Sequence, residues 1–305
     1  MRVSATRTRG EAFLPDQTDR PRRGTWLFGA IAGGIVLGVL WAERRRALRQ
    51  PTERATQRAV TNLALAGITV AVSEIAMSPV VQPLSRAVAR RRLGLVQKLP
   101  LPDALRDALA IVLLDYTLYW WHVAEHRVPW LYRFHAVHHA DLDLDATTAA
   151  RFHFGEFLAS VPWRAAQVLA IGAAPRALST WQRLTMLSVL FHHSNVRLPI
   201  GVERWLSRLI VTPRLHGIHH SIVQAEQDSN WSSGLTLWDR LHGTYRGNVP
   251  QRAITIGVPA LRDPAEVTLG KSLEMPFHEL PPWRLPDGRV PERTPLPVPR
   301  GELLP

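Results

Sequence analysis

Histidines spaced as metal ligands dominate the middle of the chain. Of thirteen histidines, twelve fall between positions 122 and 242. A pair four residues apart, two His-x-x-His-His triplets and an adjacent pair comprise His122, His126, His135, His138, His139, His192, His193, His216, His219 and His220. Residues three and four apart share one face of a helix, and imidazole binds iron, zinc, copper and nickel. One zinc needs only three or four ligands, so this set predicts two metal ions.

Some of the remaining polar residues are candidates for supporting the metal ligands, and others are expected to be structural. The chain has no cysteine, so any transition metal must be held by His, Asp or Glu. His242 and His278 stand alone, which is typical of histidines with structural hydrogen bonds. Positions 115, 119, 122 and 126 follow one helical stripe, so Asp115 is a candidate for orienting a ligand histidine by a hydrogen bond. The alternative is that Asp115 caps or ion-pairs inside a helical bundle.

Two other functions compete with a two-metal enzyme. His122-Val-Ala-Glu125-His126 also matches H-x-x-E-H, the zinc-peptidase pattern in which Glu125 would be the general base. That interpretation needs one further ligand and leaves both His-x-x-His-His triplets without a role. The second alternative is a membrane protein that binds metal without catalysis.

Five apolar stretches must position these histidines. They cover about 26–42, 59–81, 105–121, 157–172 and 178–191, and the first alone is free of charged residues. The others carry residues such as Glu74, Asp115 and Arg164, which inside a membrane usually face protein rather than lipid. The pattern predicts an all-α, polytopic membrane bundle of about four spans.

The charge distribution also favours a membrane. The net charge is +12 and arises almost entirely from arginine. Arginines flank the apolar stretches at 22–23, 44–46 and 90–92 without interleaved aromatic residues, which suits anionic lipid headgroups better than nucleic acid. We expect three regions: a basic flexible tail over 1–24, a membrane domain over 25–277, and a Pro-rich, disordered tail over 278–305.

Several segments together resemble the fatty acid hydroxylase/sterol desaturase superfamily, in a form like its bacterial members. The resemblance covers roughly 105–277. The segments are 115–122 (DYTLYWWH), 133–139 (RFHAVHH), 151–156 (RFHFGE), 191–195 (FHHSN), 212–221 (TPRLHGIHHS), 230–232 (NWS) and 238–245 (WDRLHGTY). The match to these boxes, in this order, is specific.

The resemblance implies a cytosolic helical cap that carries a di-iron centre, with the His-box core over 105–250. It implies oxygen-dependent hydroxylation, desaturation or ether cleavage of a membrane lipid, with electrons from an external ferredoxin or cytochrome. The ligands carried over are the ten grouped histidines, and His153 is an additional candidate although Phe154 follows it where the family often has proline. Glu156 and Asn230 join Asp115 as candidates for supporting the ligands. A bacterial inner-membrane location with the metals on the cytoplasmic side completes the expectation.

Overall fold

A computed structural model describes residues 23–293 and 303–304. Over these residues the chain forms helices and turns, without a β-strand. The chain divides between Leu37 and Gly38 into two compact units, and the second contains every element from α2 onward. The predicted all-α class is confirmed for the described residues. The predicted N-terminal tail lies almost entirely outside them.

The longer helices come first along the chain. They are α1 (Arg23–Arg45), α2 (Ala55–Val72), α3 (Ser78–Arg91), α4 (Asp103–Arg127), α5 (Pro129–His139), α6 (Phe154–Gln167) and α7 (Pro175–His193). Shorter helices follow: α8 (Ile200–Leu206), α9 (Pro213–His219), α10 (Gln224–Gln227), α11 (Leu237–Leu241) and α12 (Leu269–Glu274). Proline occupies the first position of α5, α7 and α9, where its missing N–H would have no helical partner.

One helical run is long and apolar enough to cross a membrane, judged over the described residues. It extends over Ala55–Lys98, and only 17% of its most apolar window is buried inside the protein. Its outward side chains include Val60, Leu63 and Ile75, all more than half exposed. This run contains the second of the expected stretches rather than the uncharged first one. The remaining expected spans do not meet the same limits, so a four-span topology is not established by the fold.

Two π-helical segments interrupt the helices that surround the interior. Ser73–Met77 joins α2 to α3, and Val168–Gly172 extends α6. The second segment ends at Gly172, whose φ of 86° is left-handed. Gly94 approaches it so closely that a side chain at either position would collide with backbone. This contact fixes the end of α6 against the connection from α3 to α4.

The apolar core lies between α3, α4, the Val168–Gly172 segment and α7. Buried members include Val88, Leu114, Leu118, Ile171 and Trp181. A second cluster, formed by Tyr119, Trp231 and Trp238, packs the C-terminal loops against α4. The core therefore fixes α4 between α7 on one side and the loop 231–238 on the other.

A buried polar network fixes the loop after α5. Arg58 of α2 binds Asp141 and Asp145, and Asn62 donates to Asp141. Arg151 is fully buried and donates to the Val137 carbonyl, Asn62 and other acceptors. Each of these charges is paired or hydrogen-bonded, as burial requires. The network holds residues 141–151 in place beneath the histidines of α5.

The segment after α12 carries no helix over residues 281–293, although it contacts the rest of the protein. Trp283 donates its indole N–H to the Ile222 carbonyl at 2.9 Å. Arg293 forms a paired contact with Glu226, whose carboxylate is buried. The expected limits at residues 24/25 and 277/278, and the disorder of the tail, stay predictions.

Candidate metal centre

Four helix ends bring the grouped histidines together. His122 and His126 lie on the last turns of α4, His135, His138 and His139 end α5, His192 and His193 end α7, and His216, His219 and His220 lie on and just after α9. All except the partly buried His126 are almost completely buried. Histidines that are grouped separately along the sequence thus meet in one cluster in the interior of the protein.

The imidazoles divide into two groups, each with ligand atoms within 4.8 Å of one another. The five-histidine group contains His122, His126, His135, His139 and His219. The four-histidine group contains His138, His193, His216 and His220. The groups adjoin, since the His139 and His220 rings stack at a centroid distance of 4.3 Å. Both His-x-x-His-His triplets contribute to both groups, so neither triplet corresponds to one site.

Hydrogen bonds at Nδ1 orient most of the rings. Nδ1 lies 2.7 Å from the Trp231 carbonyl in His122, 3.0 Å from the Arg151 carbonyl in His138, 2.8 Å from the Val189 carbonyl in His193 and 2.9 Å from the Ser229 carbonyl in His219. A carbonyl only accepts, so each of these Nδ1 atoms donates its proton. A neutral imidazole has one N–H, and its Nε2 is then a bare lone pair. Ligand histidines are held this way at metal sites.

The Nε2 atoms lie closer together than neutral rings alone would allow. His138 and His193 both donate from Nδ1, yet their Nε2 atoms are 3.0 Å apart. Two lone pairs at that distance repel unless a cation lies between them. Nitrogens bound about 2.1 Å from one metal at about 90° would be about 3.0 Å apart. The residues therefore fit a metal ion.

Burial keeps the ligands in the form that binds metal. Desolvation lowers the pKa of every imidazole in the two groups, to about 3 for His193 and His219. Neighbouring histidines lower it further in most of them. The rings are therefore neutral at physiological pH, and neutral imidazole is the ligand that metals require.

A carboxylate pair lies beside the five-histidine group. Glu156 accepts from His135 Nδ1 at 3.2 Å, and Glu125 lies 3.8 Å from the same atom. Burial raises the pKa of Glu156 to about 8 and that of Glu125 well above its ordinary value, the latter also through repulsion by Glu156. The Glu156 carboxyl therefore holds a proton at neutral pH beside His135, and burial shifts the pKa of Glu125 in the same direction.

A large cavity extends from this centre between α2, α4, α6 and α7. Its volume is about 680 Å³. The wall is mainly apolar and includes Leu114, Leu118, Trp121 and Met186. His122, His135, His138, His192, His193 and His216 line one end, together with Glu125 and Glu156. A cavity of this size can enclose a long apolar molecule and present part of it to the histidines.

Three other histidines considered from the sequence belong to neither group. His153 caps α6: its Nδ1 accepts from the Gly155 N–H, and its Nε2 lies 3.2 Å from the Leu273 carbonyl. Both ring nitrogens already have backbone partners, so the expected ligand role is replaced by a capping role. His242 stacks on Tyr116 and Tyr119, outside both groups. His192 is adjacent, with its ring centroid 4.1 Å from that of His216, and its role as a ligand stays a prediction.

The three supporting candidates differ in what they contact. Glu156 binds His135 directly. Asp115 instead accepts from the Leu235 N–H and the Trp238 indole, so the expected bond to a ligand histidine is not formed and Asp115 fixes the loop 231–238. Asn230 acts indirectly: it has a positive φ of 52° and bonds the Leu215 and Arg246 backbone. Its neighbours at 229 and 231 supply the carbonyls that hold His219 and His122.

Several contacts at the site had no signal in the sequence. Gln227 lies 3.2 Å from His139 Nδ1, and four ligand histidines bind backbone carbonyls. A carbonyl is present at every residue, so no residue type marks those positions. The sequence indicates Glu125 only through the H-x-x-E-H pattern, which places this carboxylate on the helix that carries His122 and His126.

The segment that carries both histidine groups also matches a known protein family. Residues 108–244 match the fatty acid hydroxylase family. This segment contains both histidine groups and lies within the predicted core of 105–250. Over this segment the chain is similar to the fatty acid hydroxylase family, and the resemblance inferred from the sequence is confirmed there.

Curated relatives share the same part of the chain. Ornithine lipid hydroxylase OlsE of Rhizobium tropici is 33% identical over 52% of this chain and 46% of its own length. Cholesterol 25-hydroxylase of Mus musculus is 27% identical over 45% of this chain and 46% of its own, and alkylglycerol monooxygenase of Xenopus tropicalis is 28% identical over 46% and 29%. The chain thus spans about half or less of these relatives. No solved structure matches it.

Proposed function

We propose that this protein is an oxygen-dependent di-iron lipid hydroxylase of a bacterial inner membrane. The observation that carries the proposal is the pair of adjacent histidine groups, whose Nε2 lone pairs face one another and open onto an apolar cavity. Two irons, when bound, would supply oxygen activation and removal of hydrogen from an unactivated C–H bond. The names of the relatives, hydroxylase and monooxygenase, favour hydroxylation over desaturation.

The chain's own residues would perform the remaining tasks. The carbonyl-anchored rings of His122, His138, His193 and His219 need no rearrangement to bind metal. Glu156 holds a proton at the cavity end beside His135, and Glu125, whose pKa burial raises, lies next to it. The apolar wall excludes water and fixes which carbon of the lipid faces the histidines. Electrons would come from an external ferredoxin or cytochrome.

The membrane arrangement belongs to the same proposal. Ala55–Lys98 supplies one candidate span. We propose that other apolar helices complete about four spans and that the histidine cap faces the cytoplasm. The substrate is then a lipid, such as a fatty acyl or sterol-like molecule, which would enter the cavity from the bilayer.

Labelling with ¹⁸O₂ tests the reaction. Membranes that contain the protein should yield lipids with one added ¹⁸O atom, and the detergent-purified protein should hold close to two irons per chain. A His135→Ala, His138→Ala variant should lose the labelled product, whereas His242→Ala, which removes a ring outside both groups, should keep it. An alkene without ¹⁸O would indicate desaturation instead.

Metal analysis separates the alternatives. A zinc peptidase using His122, Glu125 and His126 would hold one zinc per chain and would not respond to His216→Ala. A metal-binding protein without catalysis would lose metal in the histidine variants while the lipid profile stayed unchanged. The second, four-histidine group has no role in the peptidase alternative, so the geometry favours the hydroxylase.

A further inference from the structure

Arg164 is a charged residue that the proposed metal chemistry does not use. It lies on α6 and lines the large cavity. Its guanidinium lies 4.9 Å from the centre of the Trp181 ring, and Nη1 donates to Gln167 at 2.9 Å. Gln167 in turn donates to Thr117, so its amide is fixed in place. The guanidinium is therefore held from one side by an aromatic ring and an amide.

The rest of the guanidinium has N–H groups to spare. Arginine has five N–H donors, and within residues 23–293 and 303–304 the guanidinium donates to Gln167 alone. The acidic side chains that influence Arg164 are Glu125 and Glu156. Neither carboxyl forms an ion pair with Arg164. Both lie within ion-pair distance of His135 instead. Arg164 is partly buried and lines the cavity, so a ligand in the cavity can supply an acceptor to these N–H groups.

The position of Arg164 relative to the metal centre suits a lipid substrate. Glu156 and Arg164 lie eight residues apart on the same helix, with Ser160 between them, and all three line the cavity. A helix rises about 1.5 Å per residue, so the two backbone positions are about 12 Å apart. A lipid whose polar end bound Arg164 would therefore extend apolar carbons toward the histidines.

We propose that Arg164 binds the carboxylate of an acyl lipid and so fixes which carbon reaches the metal centre. The planar guanidinium matches a carboxylate with two parallel hydrogen bonds. Trp181 and Gln167 pre-orient it for that contact. The carboxylate can belong to a free fatty acid or to the head of an amino-acid lipid. This inference rests on the proposed lipid hydroxylase and specifies its substrate class; a neutral sterol would leave the guanidinium unpaired.

Equilibrium binding to the metal-loaded protein in detergent tests the inference without turnover. Radiolabelled octadecanoate is compared with octadecanol, which has the same chain and no charge. The wild type should bind octadecanoate at least about tenfold more tightly, the value of one charge-assisted hydrogen bond. Arg164→Gln should reduce that preference to within about twofold and leave octadecanol binding unchanged. An N-acyl amino acid of equal chain length distinguishes the two carboxylate sources by which one binds more tightly.

Control variants define the results that would overturn the inference. Arg176→Gln removes an exposed arginine of α7 that pairs with Asp107, and it should not alter the preference. Arg164→Lys keeps the charge without the fork and should retain part of the preference, even if the glutamine variant fails to fold. Equal binding of acid and alcohol by the wild type would refute the inference, as would a carboxylate preference that survives in Arg164→Gln. Product formation with ¹⁸O₂ is measured separately, so a failure here is distinguishable from a failure of the proposed hydroxylase.

Discussion

The five-histidine and four-histidine groups are neighbours, yet they are supported differently. In the five-histidine group, the Nδ1 atoms of His122, His135, His139 and His219 have partners. In the four-histidine group, His138 and His193 are anchored, whereas the Nδ1 atoms of His216 and His220 are buried without a partner. The number of histidines and the degree of their support both favour the first group. The two metals should therefore be held with unequal strength.

Removal of one histidine from each group should reveal the largest difference in iron binding between the two groups. His193 Nε2 lies 3.0 Å from both His138 and His216, so His193→Ala removes the centre of the smaller group. We expect about one iron per chain and loss of product. His219→Ala leaves four ligands in the larger group, so we expect close to two irons and an activity at least about tenfold lower. Iron analysis of both variants checks the contrast; equal losses would show that the groups are equivalent.

Acid should release metal from the four-histidine group first. The histidine pKa values are lowered in the folded protein, to about 3 for His193 and His219. Between about pH 3 and 6.5 the unfolded chain binds more protons, so stability falls as pH falls, by about 1.4 kcal/mol per pH unit for each neutral imidazole. Glu156 acts oppositely: its pKa of about 8 makes the folded state bind more protons between pH 4.5 and 8, so this contribution is lost as pH rises. The many imidazoles outweigh it.

Titration of the purified protein from pH 7.5 to 5 measures this effect. Iron content and the urea midpoint of the metal-free form should both decline below pH 6.5, because protons compete with metal for Nε2. One iron should leave at a higher pH than the other. Simultaneous loss of both would contradict unequal support.

Removal of a supporting hydrogen bond should have a smaller effect. Glu156→Leu deletes the partner of His135 Nδ1, and we expect a metal affinity about 10- to 100-fold lower in the five-histidine group. Glu156→Gln keeps an acceptor and should lose less. Asp115→Asn is the matched control, since Asp115 binds the loop at 235–238 and no imidazole. Competition with a chelator gives the affinities; an Asp115 variant as weak as the leucine variant would assign the effect to folding.

The smallest effect on metal binding should come from His153, which lies outside both groups. His153→Ala removes the cap of α6, which costs about 1 kcal/mol of stability, and it should leave both irons in place. His192→Ala removes a ring packed on His216 and should weaken the four-histidine group. Urea unfolding and iron analysis of the pair check this. Loss of an iron from a folded His153→Ala variant would show instead that His153 is a metal ligand.

The sequence by itself determined the metal-binding residue types and the helices that carry them. Histidine spacing of three and four residues is local, since a helix alone brings such side chains to one face. That is why the grouped histidines of α4, α5 and α9 were recognisable without a structure. The family boxes then placed the His-box core within 105–250, and the segment 108–244 that matches the family lies inside it.

Only the tertiary structure decided how the ligands are shared and supported. The first triplet divides between two groups because His135 and His139 face α4, whereas His138 faces α7. The second divides in the same way, since His219 contacts His122 of α4 and His216 contacts His193 of α7. Asp115 shares a stripe with His122 but packs against Trp238, since its nearest partner comes from a loop over a hundred residues later. The carbonyl anchors, the cavity and the contact of Arg164 with Trp181 depend on the same long-range packing. Local spacing fixes which side chains share a helix face, and packing fixes what that face meets.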